Sequence, residues 1–209
     1  MKSIPRFAAL EALPEGYRLV RRITLESQRL VILLNLAGLG LLIAAVLGYQ
    51  LFYNFLQARG LAQGVNPLEG TSTLLFAILS LPALFLMLAV HELIHGAAFQ
   101  LFGAKPRYGI SLEKGVAFAA ADRYYLTRDA YSIVGLAPLL VLTFVTLALM
   151  TSTSGETNML IALIGAANIS GSVGDLWFIA ICRRFPPDML VRDFGEGGEL
   201  YLHGDYSTL

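Results

Sequence analysis

Residues 84–102 read LFLMLAVHELIHGAAFQLF, an apolar run whose only ionisable side chains are His91, Glu92 and His95. The run extends back to Thr73 with Pro82 inside it. At 1.5 Å per residue such a segment reaches about 43 Å. The hydrocarbon core of a bilayer is about 30 Å thick. The segment is therefore predicted to be a membrane-spanning helix that tilts, kinks near Pro82 or projects from the bilayer. An ionisable side chain at the centre of such a helix costs roughly 2.5–3.5 kcal/mol on insertion scales, which makes it a functional candidate by default.

The three ionisable residues match the pattern H-E-x-x-H. On a helix, positions i and i+4 share a face, so His91 and His95 can bind one metal ion. Imidazole nitrogen suits zinc, and a catalytic zinc keeps one position open for water. Glu92 need not ligate; it can take a proton from that water and pass it to the leaving amine. A mononuclear catalytic zinc usually has three protein ligands. The chain has only three histidines, and the third, His203, stands in a polar tail beyond Pro186-Pro187. The one other acid inside an apolar run is Asp175, in Asn168-Ile-Ser-Gly-Ser-Val-Gly-Asp175. His95 and Asp175 each lie about 12 Å from the same end of their helices, so they can share a level. Asp175 is the expected third ligand, with His203 the substitute. Asn168, seven positions before Asp175, is a candidate to bind substrate backbone or an oxyanion, or to hold a structural hydrogen bond.

Working outward, four stretches are long and apolar enough to span: about Leu30–Phe55, Thr73–Phe102, Ala130–Met150 and Asn158–Cys182. The 209 residues are 56% hydrophobic and 14% charged, with mean hydropathy +0.65. Soluble domains carry about 25% charged residues. Net charge is zero, so nucleic acid is not an expected partner. The single cysteine, Cys182, sits in an apolar stretch and reads as a small buried hydrophobe. With four spans, Lys2, Arg6, Arg18, Arg21, Arg22, Arg29, Lys105, Arg107, Lys114, Arg123, Arg128, Arg183, Arg184 and Arg192 fall on one side. Only Arg59 falls on the other. The basic side is cytoplasmic, so both termini are expected there. The charged N-terminus shows no removable signal peptide, and the absence of organelle signals suits a prokaryotic cell membrane.

The fold class expected is an all-α membrane protein of about four transmembrane helices, with a short β-hairpin between the second and third. Residues 1–29 form a cytoplasmic arm, 30–182 the transmembrane domain, and 183–209 a polar cytoplasmic tail. The hairpin is placed at about 106–121, with Tyr108–Leu112 and Val116–Ala120 as strands and Glu113-Lys114-Gly115 as the turn.

An intramembrane H-E-x-x-H followed by Asn168 and Asp175 in a later span resembles the site-2 protease type of membrane zinc metallopeptidase. It resembles more closely the small bacterial membrane proteins of the putative zincin peptidase type. The resemblance implies one zinc held by His91, His95 and Asp175, Glu92 as general base, and a hairpin that presents substrate as an extended strand. The expected activity is that of a zinc metalloendopeptidase acting on membrane protein or peptide substrates within the bilayer. The alternative is a non-hydrolytic metal-binding module, a transporter or sensor. Such a module has no need of a non-ligating carboxylate between the histidines, and the first and third spans offer no carboxylate or histidine to carry a metal across.

Overall fold

The computed structural model describes residues 4–111, 116–195 and 197–204. Among the described residues the helices are α1 (Gln28–Ala58), α2 (Thr73–Leu101), α3 (Arg128–Met150), α4 (Gly155–Gly171) and α5 (Val173–Cys182). Four apolar helical stretches, the last being α4 with α5, are long enough to cross a membrane. Helix α1 stops at Gly60 and α2 at Gly103, both at positive φ. In each case the next N–H reaches back five residues, from Leu61 to Leu56 and from Ala104 to Phe99. This left-handed glycine closure satisfies carbonyls that a helix end leaves open. At its start, α2 uses the Ser72 hydroxyl, which accepts the Leu75 N–H at 3.3 Å.

The fourth expected span is broken. Asn168 O accepts both the N–H and the hydroxyl of Ser172, at 3.0 and 2.9 Å. α4 and α5 are separated by Ser172 alone.

The all-α expectation needs correction, because the chain is mostly helical but carries two small sheets. Strands β1 (Ala9–Leu10), β2 (Tyr17–Thr24), β5 (Tyr125–Thr127), β6 (Leu190–Asp193) and β7 (Gly197–His203) form one sheet in the order β1-β5-β6-β7-β2, all pairs antiparallel. The arm and the polar tail are thus strand partners, Tyr17 lying opposite His203 and Thr24 opposite Gly197. Strands β3 (Arg107–Ser111) and β4 (Val116–Ala120) pair antiparallel by themselves. The residues read as their turn, Glu113-Lys114-Gly115, lie outside the described residues.

The chain divides into two compact units. The first comprises Met1–Ile32, Glu92–Ala137 and Gly174–Leu209. Its core joins one face of the five-stranded sheet (Leu126, Val191, Leu200, Leu202) to Ala98 and Phe99 of α2, Val134 of α3, and Phe178, Ile181 and Cys182 of α5. Gly198 has no Cβ, and that lets β7 lie against the Phe178 ring. The sheet therefore clamps the end of α2, the start of α3 and α5. The second unit comprises Leu33–His91 and Pro138–Val173. Its core gathers Ala45, Tyr49 and Leu56 of α1 with Met150 and Ala166. Tyr49 shares a hydrogen bond with Thr146, and Ser170 donates to Gly38 O at 2.9 Å. Large apolar side chains face outward along the helices, among them Leu51, Leu74, Phe85 and Phe144.

Candidate metal centre

Helix α2 carries His91 and His95 one turn apart, and both are buried. Phe99, a further turn along, is 1% exposed. The face that presents His95 thus runs directly into the core of the first unit, which fixes the helix rotation. Glu92 is half-buried.

Each imidazole is held by its Nδ1. His95 Nδ1 lies 2.9 Å from Val134 O. A carbonyl can only accept, so this nitrogen carries the proton. Val134 O is open for a definite reason: four residues on stands Pro138, which has no N–H to return to it. His91 Nδ1 lies 2.9 Å from Asn168 Oδ1. Asn168 Nδ2 donates to Pro138 O at 3.3 Å, which fixes the amide orientation and leaves Oδ1 to accept from His91. Both imidazoles are thus anchored through Nδ1, as metal-ligating histidines are by their outer partners.

Asp175 enters from the first turn of α5. Gly135 on α3 has no Cβ to meet Ile179 and Asp175, so the two helices approach closely here. Asp175 Oδ1 stands 3.4 Å from His95 Nε2. That is long for an N–H···O bond, which prefers 2.7–3.2 Å. It agrees with two ligands at 2.0–2.2 Å from one tetrahedral ion, which stand about 3.4 Å apart. The ligand atoms of His91, His95 and Asp175 all lie within 4.8 Å of one another. Two imidazole nitrogens and one carboxylate oxygen are a donor set that could hold a zinc ion.

The remaining sequence candidates fall elsewhere. Asn168 is fully buried, with both ends of its amide engaged, so its geometry is that of a histidine anchor rather than a group facing substrate. His203 packs edge-on against Tyr17 in the sheet and is not among the clustered ligands. Sequence reading missed Val134 and Pro138. The available signal was the proline itself, inside an apolar helix where it costs about 3 kcal/mol. Gly96, next to His95, has no Cβ, and the Tyr108 phenol from β3 rests against it.

A family described as "Putative zincin peptidase" matches residues 84–190, just over half of the chain. The match takes in α3, α5 and every residue of the cluster, and begins inside α2. No curated protein and no solved structure matches the chain.

Proposed function

The chain belongs to the putative zincin peptidase family, and from that membership we propose that it is an intramembrane zinc metalloendopeptidase of the site-2-protease-like kind. Its substrates are membrane proteins or peptides. The observation that carries the reading is the cluster itself: two imidazoles anchored through Nδ1 and one carboxylate at chelating distance, set in a 29-residue apolar helix and its neighbours.

His91, His95 and an Asp175 oxygen would hold the ion. Zinc supplies a Lewis acid that polarises the scissile carbonyl and brings the acidity of water toward neutral pH. Glu92 accepts the proton of the attacking water on a carboxylate oxygen and delivers it to the leaving amine nitrogen. Among the described residues β3 and β4 pair only with each other, so an extended substrate segment can add to their edge by backbone hydrogen bonds. Strand addition suits an intramembrane protease, because a helical peptide bond must be unwound before water can reach it.

Four apolar helices with outward-facing leucine and phenylalanine support insertion in a bilayer. The one-sided placement of lysine and arginine supports cytoplasmic termini in a prokaryotic cell membrane. Reconstituting the chain in proteoliposomes with a panel of transmembrane peptides tests the activity. The parent should release defined fragments, and Glu92→Gln should lose about 10²–10⁴-fold in rate while keeping its metal. Cleavage by Glu92→Gln at the parental rate removes the base assignment.

A further inference from the structure

Strand β2 is an outer strand of the five-stranded sheet, and it carries arginine on the face that packs against the helices. Directly opposed residues of an antiparallel pair point to the same side. Arg18 stands opposite Leu202 and Arg21 opposite Leu200. Both leucines are buried in the core shared with α2, α3 and α5. Arg18 and Arg21 therefore lie on the helix side of the sheet, yet both are exposed, beyond the part that the helices cover. Among the described residues neither guanidinium has a hydrogen-bond or ion-pair partner.

A bulge produces this arrangement. The register shifts between Leu19 and Arg21, which leaves Val20 as the extra residue. Unbroken alternation would put Arg21 on the side of Leu19 and turn Arg22 to the helix side. With the bulge, Arg22 takes the outer face opposite Glu199 and pairs with it at 3.9 Å. Bulges re-aim side chains in this way. The outer face thus has its arginine balanced by an acid, and the helix side keeps two that are not. An edge strand uses charge to stay unpaired, but that purpose selects neither face.

The apolar helices lie on the same side as the two guanidinium groups. Helix α1 begins at Gln28, four residues after β2 ends at Thr24, a span of at most about 14 Å. Arg29 is exposed in its first turn, and Ile32 is exposed one turn further. Between Tyr17 and Ile32 the chain has four arginines and one acid, Glu26. All of these residues belong to the first unit. A basic cluster beside a membrane span is the pattern that anionic headgroups attract.

We propose that Arg18 and Arg21 dock the sheet on the bilayer by binding the phosphate groups of anionic phospholipids. The planar guanidinium matches two phosphate oxygens with two parallel N–H donors. The docked strand holds the sheet at headgroup level, and with it the ends of α2, α3 and α5 that the sheet clamps. This rests on the bilayer insertion proposed above and is independent of the peptidase activity.

The test uses the full chain in phosphatidylcholine vesicles of rising phosphatidylglycerol content. A fluorophore is placed on Val20→Cys; Cys182 is buried and stays unlabelled. Nitroxide lipids labelled at the headgroup quench the fluorophore when β2 docks, so quenching should rise with phosphatidylglycerol to a plateau. One basic residue at the surface contributes about fivefold. Arg18→Gln and Arg21→Gln should each raise the phosphatidylglycerol content at half-maximal quenching by about that factor, and together by about 25-fold. Arg22→Gln removes the same charge from the adjacent residue on the other face and should leave the midpoint unchanged. Lysine at both positions 18 and 21 should restore it. Equal shifts for Arg21→Gln and Arg22→Gln overturn the inference, because net charge alone then accounts for the binding. So does quenching that ignores phosphatidylglycerol, or quenching abolished by inorganic phosphate at matched ionic strength, which would mark a site for a free anion. A chain that alkaline carbonate washes out of the vesicles overturns the bilayer reading itself, and this inference with it.

Discussion

Replacing Asn168 by Leu removes both amide groups at nearly constant volume, and its effect can be worked out from two distances. Asn168 is fully buried, and its oxygen is the acceptor for His91 Nδ1–H at 2.9 Å. His91 is itself 6% exposed, so water cannot easily take the place of the amide. In Asn168→Leu the buried N–H either stays unpaired, at about 1–3 kcal/mol, or shifts to Nε2 and occupies the nitrogen needed for zinc. Either way the bound state loses relative to the parent. A 10–100-fold loss of affinity is about 1.4–2.8 kcal/mol, the same scale as the orphaned donor. Asn168→Asp keeps an acceptor for His91 and gives up only the donor to Pro138 O. The added negative charge is offset by the dication nearby, so its zinc affinity should stay within about tenfold of the parent. Chelator competition at fixed pH measures both, with thermal unfolding of the metal-free proteins as control. If Asn168→Leu binds zinc as the parent does, the anchoring of His91 through Asn168 is wrong.

Three further outcomes are expected. Burial pushes the Asp193 carboxyl from 3.8 up to about 6, although it accepts hydrogen bonds from Tyr131 and Gly195 N–H. A raised carboxyl favours the folded state while protonated: that contribution is full below about pH 4 and is lost as pH rises through about 6. The stability of the parent relative to Asp193→Asn should therefore fall between pH 4 and 7, by at most about 3 kcal/mol, and parallel unfolding curves would refute the assignment. Reporter fusions at Gly64 and Gly155 should read outside and one at the C-terminus inside; an external C-terminus contradicts the four-span orientation. His203→Ala should keep the parental zinc content, because His203 lies in β7 against Tyr17.

The helices were legible because length and apolarity decide them, and α1, α2 and α3 lie where the hydrophobic runs place them. The cluster was legible for a related reason: His91, Glu92, His95 and Asp175 are conspicuous against apolar surroundings. The five-stranded sheet was not. Its strands pair across the whole chain, Tyr17 with His203, and no local pattern announces such a partner. Glu199-Leu200-Tyr201-Leu202 does carry a partial alternation, but with Gly195, Gly197 and Gly198 beside it the segment reads as a polar tail. In the structure Gly195 has φ 90° between the paired strands β6 and β7. The interruption at Ser172 is a single residue, and nothing in the apolar run marks it. A continuous helix put Asn168, read as a substrate, oxyanion or structural hydrogen-bonding group, on the face of Asp175, read as a ligand; in the structure Asn168 meets His91 and Asp175 lies beside His95. The Pro138 arrangement showed in the sequence only as a proline inside an apolar run, since the acceptor it frees is a backbone carbonyl.

The most direct measurement is X-ray absorption at the zinc edge on the purified, zinc-loaded parent. One zinc per chain is expected, in a four-coordinate shell of nitrogen and oxygen at about 2.0–2.2 Å, with the outer-shell scattering of two imidazoles. A shell containing sulfur, a single imidazole, or six oxygens would contradict a centre built from His91, His95 and Asp175.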